Sequence, residues 1–313
     1  MVGKQVNIPL LMCFSLNVVL TIVIVHQTYH ASKDGPRSSA TTLKGPPVML
    51  LRNYSMIRST SESLYDMYGE GNLNDGEEHL LNYIRSMMSQ QGPGGRRLSS
   101  TSSSVDWSKM GGAGFVDELL KQRRNGFFIE CGAFHGEQYS STLFFELKRN
   151  WSGLLIEAHP EYHRDILRKN RRALVLKGCL NAKAHPALEK FKLHGWGSGV
   201  SALNRNVKPM DKTIPETDVQ CFSLNSVMAA IGVRHIDFFV LDVEGSELPI
   251  LESIDWTRLI VDFFTIEYAD VDRLKKLEKI RSFFRKIGGY KEVGYWPLDK
   301  KAHEAVDVMF MRV

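Results

Sequence analysis

The sequence predicts an α/β domain: a doubly wound, mostly parallel sheet with helices on both faces and an antiparallel hairpin at its C-terminal edge. Three observations carry that expectation. From Asp106 onward, apolar runs of strand length alternate with amphipathic runs of helix length. The strand-like runs ("FFIE", "GLLIE", "FFVL") are almost wholly apolar, as strands buried on both faces must be. The last two strand-like runs have no strong helical pattern between them, and neighbours joined that way pair antiparallel.

The elements follow in order. "FVDELLKQRR" reads as a helix, "FFIE" as the first strand, "STLFFELKRN" as a helix and "GLLIE" as the second strand. "PEYHRDILRKN" is a helix and "ALVLKG" the third strand; then come "DVQCFSL", the helix "NSVMAAIG" and the fourth strand "IDFFVLD". The helix "SELPILESI", the strand "LIVDFFTIE" and a long helix from Val271 to Ile287 lead to the closing runs "YKEVGYW" and "AVDVMFMRV". "HGWGSGVSAL", His194 to Leu203, reads as an irregular loop whose glycines would also suit a lid over a substrate.

Upstream the texture differs. Ile8 to Val25 is 18 residues without a charge, and a membrane span needs about 20 while a cleavable signal core has about 7–15. It is apolar all round rather than along one stripe, which disfavours a core helix. We therefore expect a cytosolic tail at 1–7, a transmembrane signal anchor at 8–26, a flexible stalk at 27–105 and a folded domain at 106–313. The stalk is rich in Ser, Gly, Pro and Thr, although Glu77 to Met88 has the spacing of a short amphipathic helix.

Lys4 on one side of the run and Lys33 and Arg37 on the other leave its orientation open by charge. Sequons at Asn53 and Asn150 favour a luminal C-terminal part and a glycoprotein of the Golgi or endoplasmic reticulum. A cytosolic domain is the alternative. Four cysteines, Cys13 within the run, are too few for a disulfide scaffold but allow one bridge, with Cys179 and Cys221 a candidate pair. The net charge of +5 is modest, and its basic clusters are interspersed with acids at helical spacing, so no nucleic-acid partner is expected.

In such sheets a ligand sits beyond the carboxyl ends of the strands, where strand order reverses. "FFIECGAFHGE" places Glu130, Gly132 and Gly136 there. This is not the G-x-G-x-x-G spacing that lets backbone close on a pyrophosphate. A carboxylate at that position repels phosphate but suits an ammonium group, so a nucleoside with an amino-acid tail fits better than NAD. S-adenosylmethionine is such a molecule. Glu157 ends the second strand 21 residues beyond Gly136, where an acid grips a ribose diol. Cys179 and Asn181 follow the third strand, in reach of an adenine edge.

At the fourth strand, "FFVLDVEGSE" sets Asp242, Glu244 and Glu247 past an apolar run, and Glu267 ends the fifth. Methyl transfer to a hydroxyl needs a base beside the acceptor oxygen. Asp242 is the first candidate, for that role or for orienting the acceptor, then Glu244 and Glu267. Glu244 has a competing reading as the cap of the following helix. Nothing in the spacing demands a metal. His135 and His159 lie on cofactor-side loops, where incidental histidines are common.

"FFIECGAFHGEQYSSTLFFELKRNWSGLLIEAHPEY", "VQCFSLNSVM", "FFVLDVEGSE" and "VDVMFMR" together resemble the FkbM-type methyltransferases, closest to the membrane-anchored metazoan branch called Star-like. The likeness spans Phe127 to Val313. It implies the class I, Rossmann-like methyltransferase fold with a seven-stranded sheet, and S-adenosylmethionine-dependent O-methylation of a hydroxyl on a glycan or small molecule. Glu130, Gly132 and Gly136, with Ala133 beside them, match the first cofactor motif; Glu157, with Ala158, matches the ribose acid; Asp242 and Glu244 match the "DVEG" signature. His135 stands where the family usually has an acid, and Leu241 where many bacterial members have Lys. A second function compatible with these residues is a non-catalytic domain that binds membrane or secreted cargo and assists its traffic.

Overall fold

In the computed structural model the described residues are 77–99, 112–193, 216–269 and 272–313. The expected anchor at 8–26, Asn53 and the His194–Leu203 loop lie outside them. Among the described residues no helix is long and apolar enough to cross a membrane.

In chain order the elements are α1 (Glu78–Ser86), β1 (Met88–Ser89), α2 (Ala113–Leu119), β2 (Phe127–Cys131), α3 (Leu143–Lys148), β3 (Ser152–Glu157), α4 (Pro160–Lys169), β4 (Leu174–Lys177), β5 (Cys179–Leu180), β6 (Ala187–Lys192) and β7 (Glu216–Phe222). There follow α5 (Leu224–Ile231), β8 (His235–Ile236), β9 (Phe238–Leu241), α6 (Glu247–Ser253), β10 (Ile260–Val261), β11 (Phe263–Glu267), α7 (Arg273–Ile287), β12 (Tyr290–Trp296) and β13 (Asp307–Arg312).

The main sheet has eight strands in the order β1-β4-β3-β2-β9-β11-β13-β12. Strands β4, β3, β2, β9 and β11 run parallel. β13 is antiparallel to both β11 and β12, which makes the closing hairpin. Seven of these strands match the expected sheet; β1, antiparallel to β4, is the eighth. The chain winds outward from β2 through β3 to β4, then returns to β9 on the other side of β2. Strand order therefore reverses between β2 and β9.

Every residue of β2 and β9 is buried, the reason their sequences are unbroken apolar runs apart from Glu130. Alternate side chains feed two cores. Phe127 and Ile129 pack with Leu80 of α1, Leu224 of α5, Ile250 of α6 and Leu277 of α7. Phe128 packs on the opposite face with Val116 of α2, Phe145 of α3 and Ile166 of α4. Local signals set the helix ends: the Ser223 side chain accepts from Ser226 N–H at the start of α5, and Gly232 closes it at φ 71°.

Two features depart from the expectation. Residues 77–99, assigned to the stalk, pack onto the domain. Leu80, Leu81 and Ile84 are buried, and Arg85 Nε donates to the Ala230 carbonyl of α5 at 2.7 Å. Beyond β1 the segment is held by Asn170, whose side chain donates to Gly95 O at 2.6 Å and accepts from Gly92 N–H at 2.7 Å. It ends on Glu137, which accepts from Ser99 N–H and Oγ. The other departure is a small second sheet, β5-β7-β6. Its strand β6, "ALEKFK", gave no strand signal because its burial is partial and uneven.

Candidate functional site

The carboxyl ends of β2, β3 and β9 open on a cavity of about 300 Å³. Gly132 follows β2 at φ +82°, and a Cβ there would lie 1.9 Å from the Asp242 carbonyl oxygen. Its glycine is thus required by the approach of the loop after β9, which brings Asp242 to the same wall. Gly136, at φ +73°, sits over Ile166.

Glu130 lines the cavity, but its oxygens are engaged by the loop that follows. It accepts from Ser140 Oγ (2.7 Å), Ser141 N–H (2.7 Å) and Thr142 Oγ1 (2.6 Å), and lies 3.7 Å from the fully buried Arg171 guanidinium. Arg171 also donates to Gly136 O and Glu146. This network ties residues 136–142 to the end of β2 and takes up three of the acceptor positions of Glu130.

Glu157 has a different setting. One oxygen accepts from Phe134 N–H and the other from His159 N–H, each at 2.7 Å, and Ala158 N–H acts on the same carboxylate. Burial pushes its carboxyl up to about 7, against the pull of those N–H donors. Ala133, Ala158, His159, Tyr162, Cys179, Leu180 and Phe191 complete this side. His159 is the N-cap of α4, its Nδ1 accepting from Glu161 N–H, and stacks on Tyr162 with centroids 4.2 Å apart. His135 packs against Phe134; burial, then Lys169, lowers its pKa. Asn181 is 1 % exposed, its Oδ1 accepts from Lys183 N–H and its Nδ2 has no partner among the described residues. It lies behind the cavity wall, whose lining from this segment is Gly178, Cys179 and Leu180.

Asp242 and Glu244 line the other side of the cavity, and their carboxylate oxygens and that of Glu267 all lie within 4.8 Å of one another, close enough to share protons or to bridge a divalent cation. Burial raises the pKa of Asp242, and Asp307 and Glu244 raise it further. Burial, then Asp242, does the same to Glu267. Glu244 stands at φ +56°, a left-handed conformation costly for a non-glycine residue. The acid that secures this loop is Glu247, not Glu244: its carboxylate accepts from Val243 and Gly245 N–H and pairs with Lys276 at 2.8 Å. Asp307 was not foreseen. It faces Glu267 in the β11/β13 register, and burial, then Glu247, pushes it up to about 7. The β11/β13 pairing and its register, which the sequence does not give, bring it there. His235, Asp237 and Asp262 also converge, but Arg123 already bridges the two acids.

Asn150 is exposed and lies two residues before the start of β3, at the end of the sheet opposite the cavity.

The Methyltransferase FkbM domain matches residues 130–295, more than half of the chain. The chain belongs to the FkbM methyltransferase family. No curated protein sequence matches this FkbM methyltransferase. Among solved structures it is similar to the methyltransferase FkbM from Methylobacillus flagellatus KT, with 14% identity and a TM-score of 0.40 over 66% of this chain and 48% of that one. It is also similar to a precorrin-6y C5,15-methyltransferase from Geobacter metallireducens GS-15 (12%, 0.36, 64% and 87%) and to M. jannaschii TYW2 in complex with AdoMet (13%, 0.31, 67% and 80%). The aligned part is about half the length of the Methylobacillus protein. These likenesses are distant, and the family assignment rests on the domain match. The FkbM methyltransferase takes S-adenosylmethionine as its cofactor. The cavity lining suits that group: Glu157 offers a carboxylate on one side, and His159, Tyr162 and Phe191 form an aromatic wall beside it.

Proposed function

We propose that this FkbM methyltransferase methylates a hydroxyl of a glycan or small molecule in the lumen of the Golgi or endoplasmic reticulum. Residues 8–26 hold it as a single-pass type II protein, nearest in kind to the membrane-anchored Star-like branch. The carrying observation is that Asp242 and Glu244 line the same cavity as Gly132 and Glu157, with a carboxylate oxygen of Glu267 within 4.8 Å of theirs. The Cys179–Cys221 disulfide and the exposed Asn150 sequon suit an oxidising, glycosylating compartment.

Glu157 takes the ribose hydroxyls, the 178–180 segment borders the adenine, and the Gly132–Gly136 turn carries the amino-acid end. Glu130 acts by holding that turn. When bound, S-adenosylmethionine supplies an electrophilic methyl group on a sulfonium. Asp242 orients the acceptor hydroxyl and takes its proton on a carboxylate oxygen, while Glu244 and Glu267 hold the remaining protons of the cluster. The shared protons neutralise the cluster without a metal.

The test is methyl transfer from labelled cofactor to glycan and glycoprotein pools by the full chain. Asp242→Asn should lower kcat by about 100-fold with cofactor affinity kept, and chelation with EDTA should leave the rate unchanged. Cofactor binding without transfer to any acceptor pool would count against the enzyme. A cellular role that survives Asp242→Asn but not loss of the anchor would favour cargo binding.

A further inference from the structure

Cys179 lines the cofactor cavity and is bonded to Cys221. The two residues face each other in the parallel β5/β7 pair, which is two residue pairs long. The same segment is tied to the ribose acid, because Gly178 N–H donates to the Glu157 carbonyl at 3.1 Å. Asn181 N–H donates to Phe222 O at 2.9 Å. The covalent bridge therefore reinforces a very short ladder at the wall of the cavity.

Its two ends are unequal. Cys221 is 0 % exposed and belongs to the central strand of its sheet, paired with β6 from Ala187 to Lys192. Cys179 is partly exposed and its strand has two residues. Two thiols cannot remain at the S–S distance of about 2.05 Å, so opening the bridge must displace one end. The anchored Cys221 gives less, and the movement falls on the cavity wall.

We propose that Cys179 is a positioning residue for the cofactor wall, so that the oxidised chain binds S-adenosylmethionine and reduction by a dithiol weakens that binding. The proposal rests on the reading of the cavity as the cofactor site. In the step, a reductant thiolate attacks one bridging sulfur and the S–S bond breaks to a mixed disulfide. The reductant's second thiolate displaces the other protein thiolate. The dithiol is oxidised to its disulfide, and Cys179 and Cys221 leave as thiols after taking up two protons.

The experiment titrates S-adenosylmethionine into the full chain in detergent, oxidised, reduced with dithiothreitol, and reoxidised, with bridge status read by alkylation and mass. Reduction should weaken affinity by about tenfold, the loss of a preorganised wall, while the thermal transition persists, and reoxidation should restore it. Cys179→Ala/Cys221→Ala should bind weakly from the start and ignore the reductant, which excludes an effect through the free, buried Cys131. Equal affinity of oxidised and reduced chains overturns the proposal alone. Loss of the thermal transition on reduction also overturns it, since the bridge would then hold the whole domain. Absence of binding by the oxidised chain overturns the cofactor reading of the cavity and this proposal with it.

Discussion

At the scale of single residues, Glu130 and Glu157 look alike in the sequence: each is an acid ending an apolar strand. Their surroundings separate them. Glu130 accepts three hydrogen bonds from the loop at Ser140–Thr142, beside the buried Arg171, whereas Glu157 is met by backbone N–H groups alone, with no cation beside it among the described residues. That difference was not legible, because it depends on Arg171 arriving from beyond α4 to close the network. Glu157 yields a pH prediction. Burial holds its carboxyl at about 7, and a ribose diol donates to the ionised form. Binding therefore favours the carboxylate, so proton uptake at lower pH competes with the cofactor. Affinity for S-adenosylmethionine should be flat above about pH 8 and fall below pH 7, approaching tenfold per pH unit. Glu157→Gln should bind about 10- to 100-fold more weakly and lose that slope. A slope that survives in Glu157→Gln would assign it to another group.

At the scale of elements, β2, β3, β9 and β11 were readable because they are buried on both faces and carry apolar runs, and β12 through its aromatic and β-branched residues. β6 was not, since its side chains are only partly covered, and β1 is too short to show a period. The meaning of the glycines also changed with the structure. Gly132 reads as room for a ligand, yet what approaches it is the Asp242 carbonyl of the neighbouring strand's loop. Gly132→Ala thus places a methyl against backbone, at a positive φ, at the junction of β2 and β9. Gly136→Ala, also at a positive φ, meets Ile166 Cγ1 at 3.0 Å, a side-chain contact that can give by a few tenths of an ångström where the Asp242 backbone cannot. Urea unfolding should show Gly132→Ala destabilised by about 3 kcal/mol, the upper range for strained backbone, and Gly136→Ala by about 1 kcal/mol. The reverse order would mean that β2 and β9 separate freely.

At the scale of the whole molecule, composition set the domain's start too late. The stretch from 89 to 99 is polar and rich in Gly, Pro and Ser, as a stalk would be, and only the short apolar set of α1 hinted at packing. Its order comes from partners distant in sequence. Leu80, Leu81, Ile84 and Met88 are all at most 8 % exposed, and Asn170 and Glu137 accept the backbone beyond them. Glu137 belongs to the turn that follows Gly132, and Lys169 pairs with it, so residues 77–99 brace the cofactor loop from outside. Two fragments test this, one beginning at residue 77 and one at 106. The shorter one loses four buried side chains, together about 6 kcal/mol of burial, or a Tm lower by roughly 12–24 °C for a domain of this size. It should also bind S-adenosylmethionine more weakly than the longer fragment well below either Tm, because Ser99 no longer holds Glu137. Equal Tm values would return residues 77–99 to the stalk. A lower Tm with unchanged affinity would keep them in the domain but detach them from the cofactor loop.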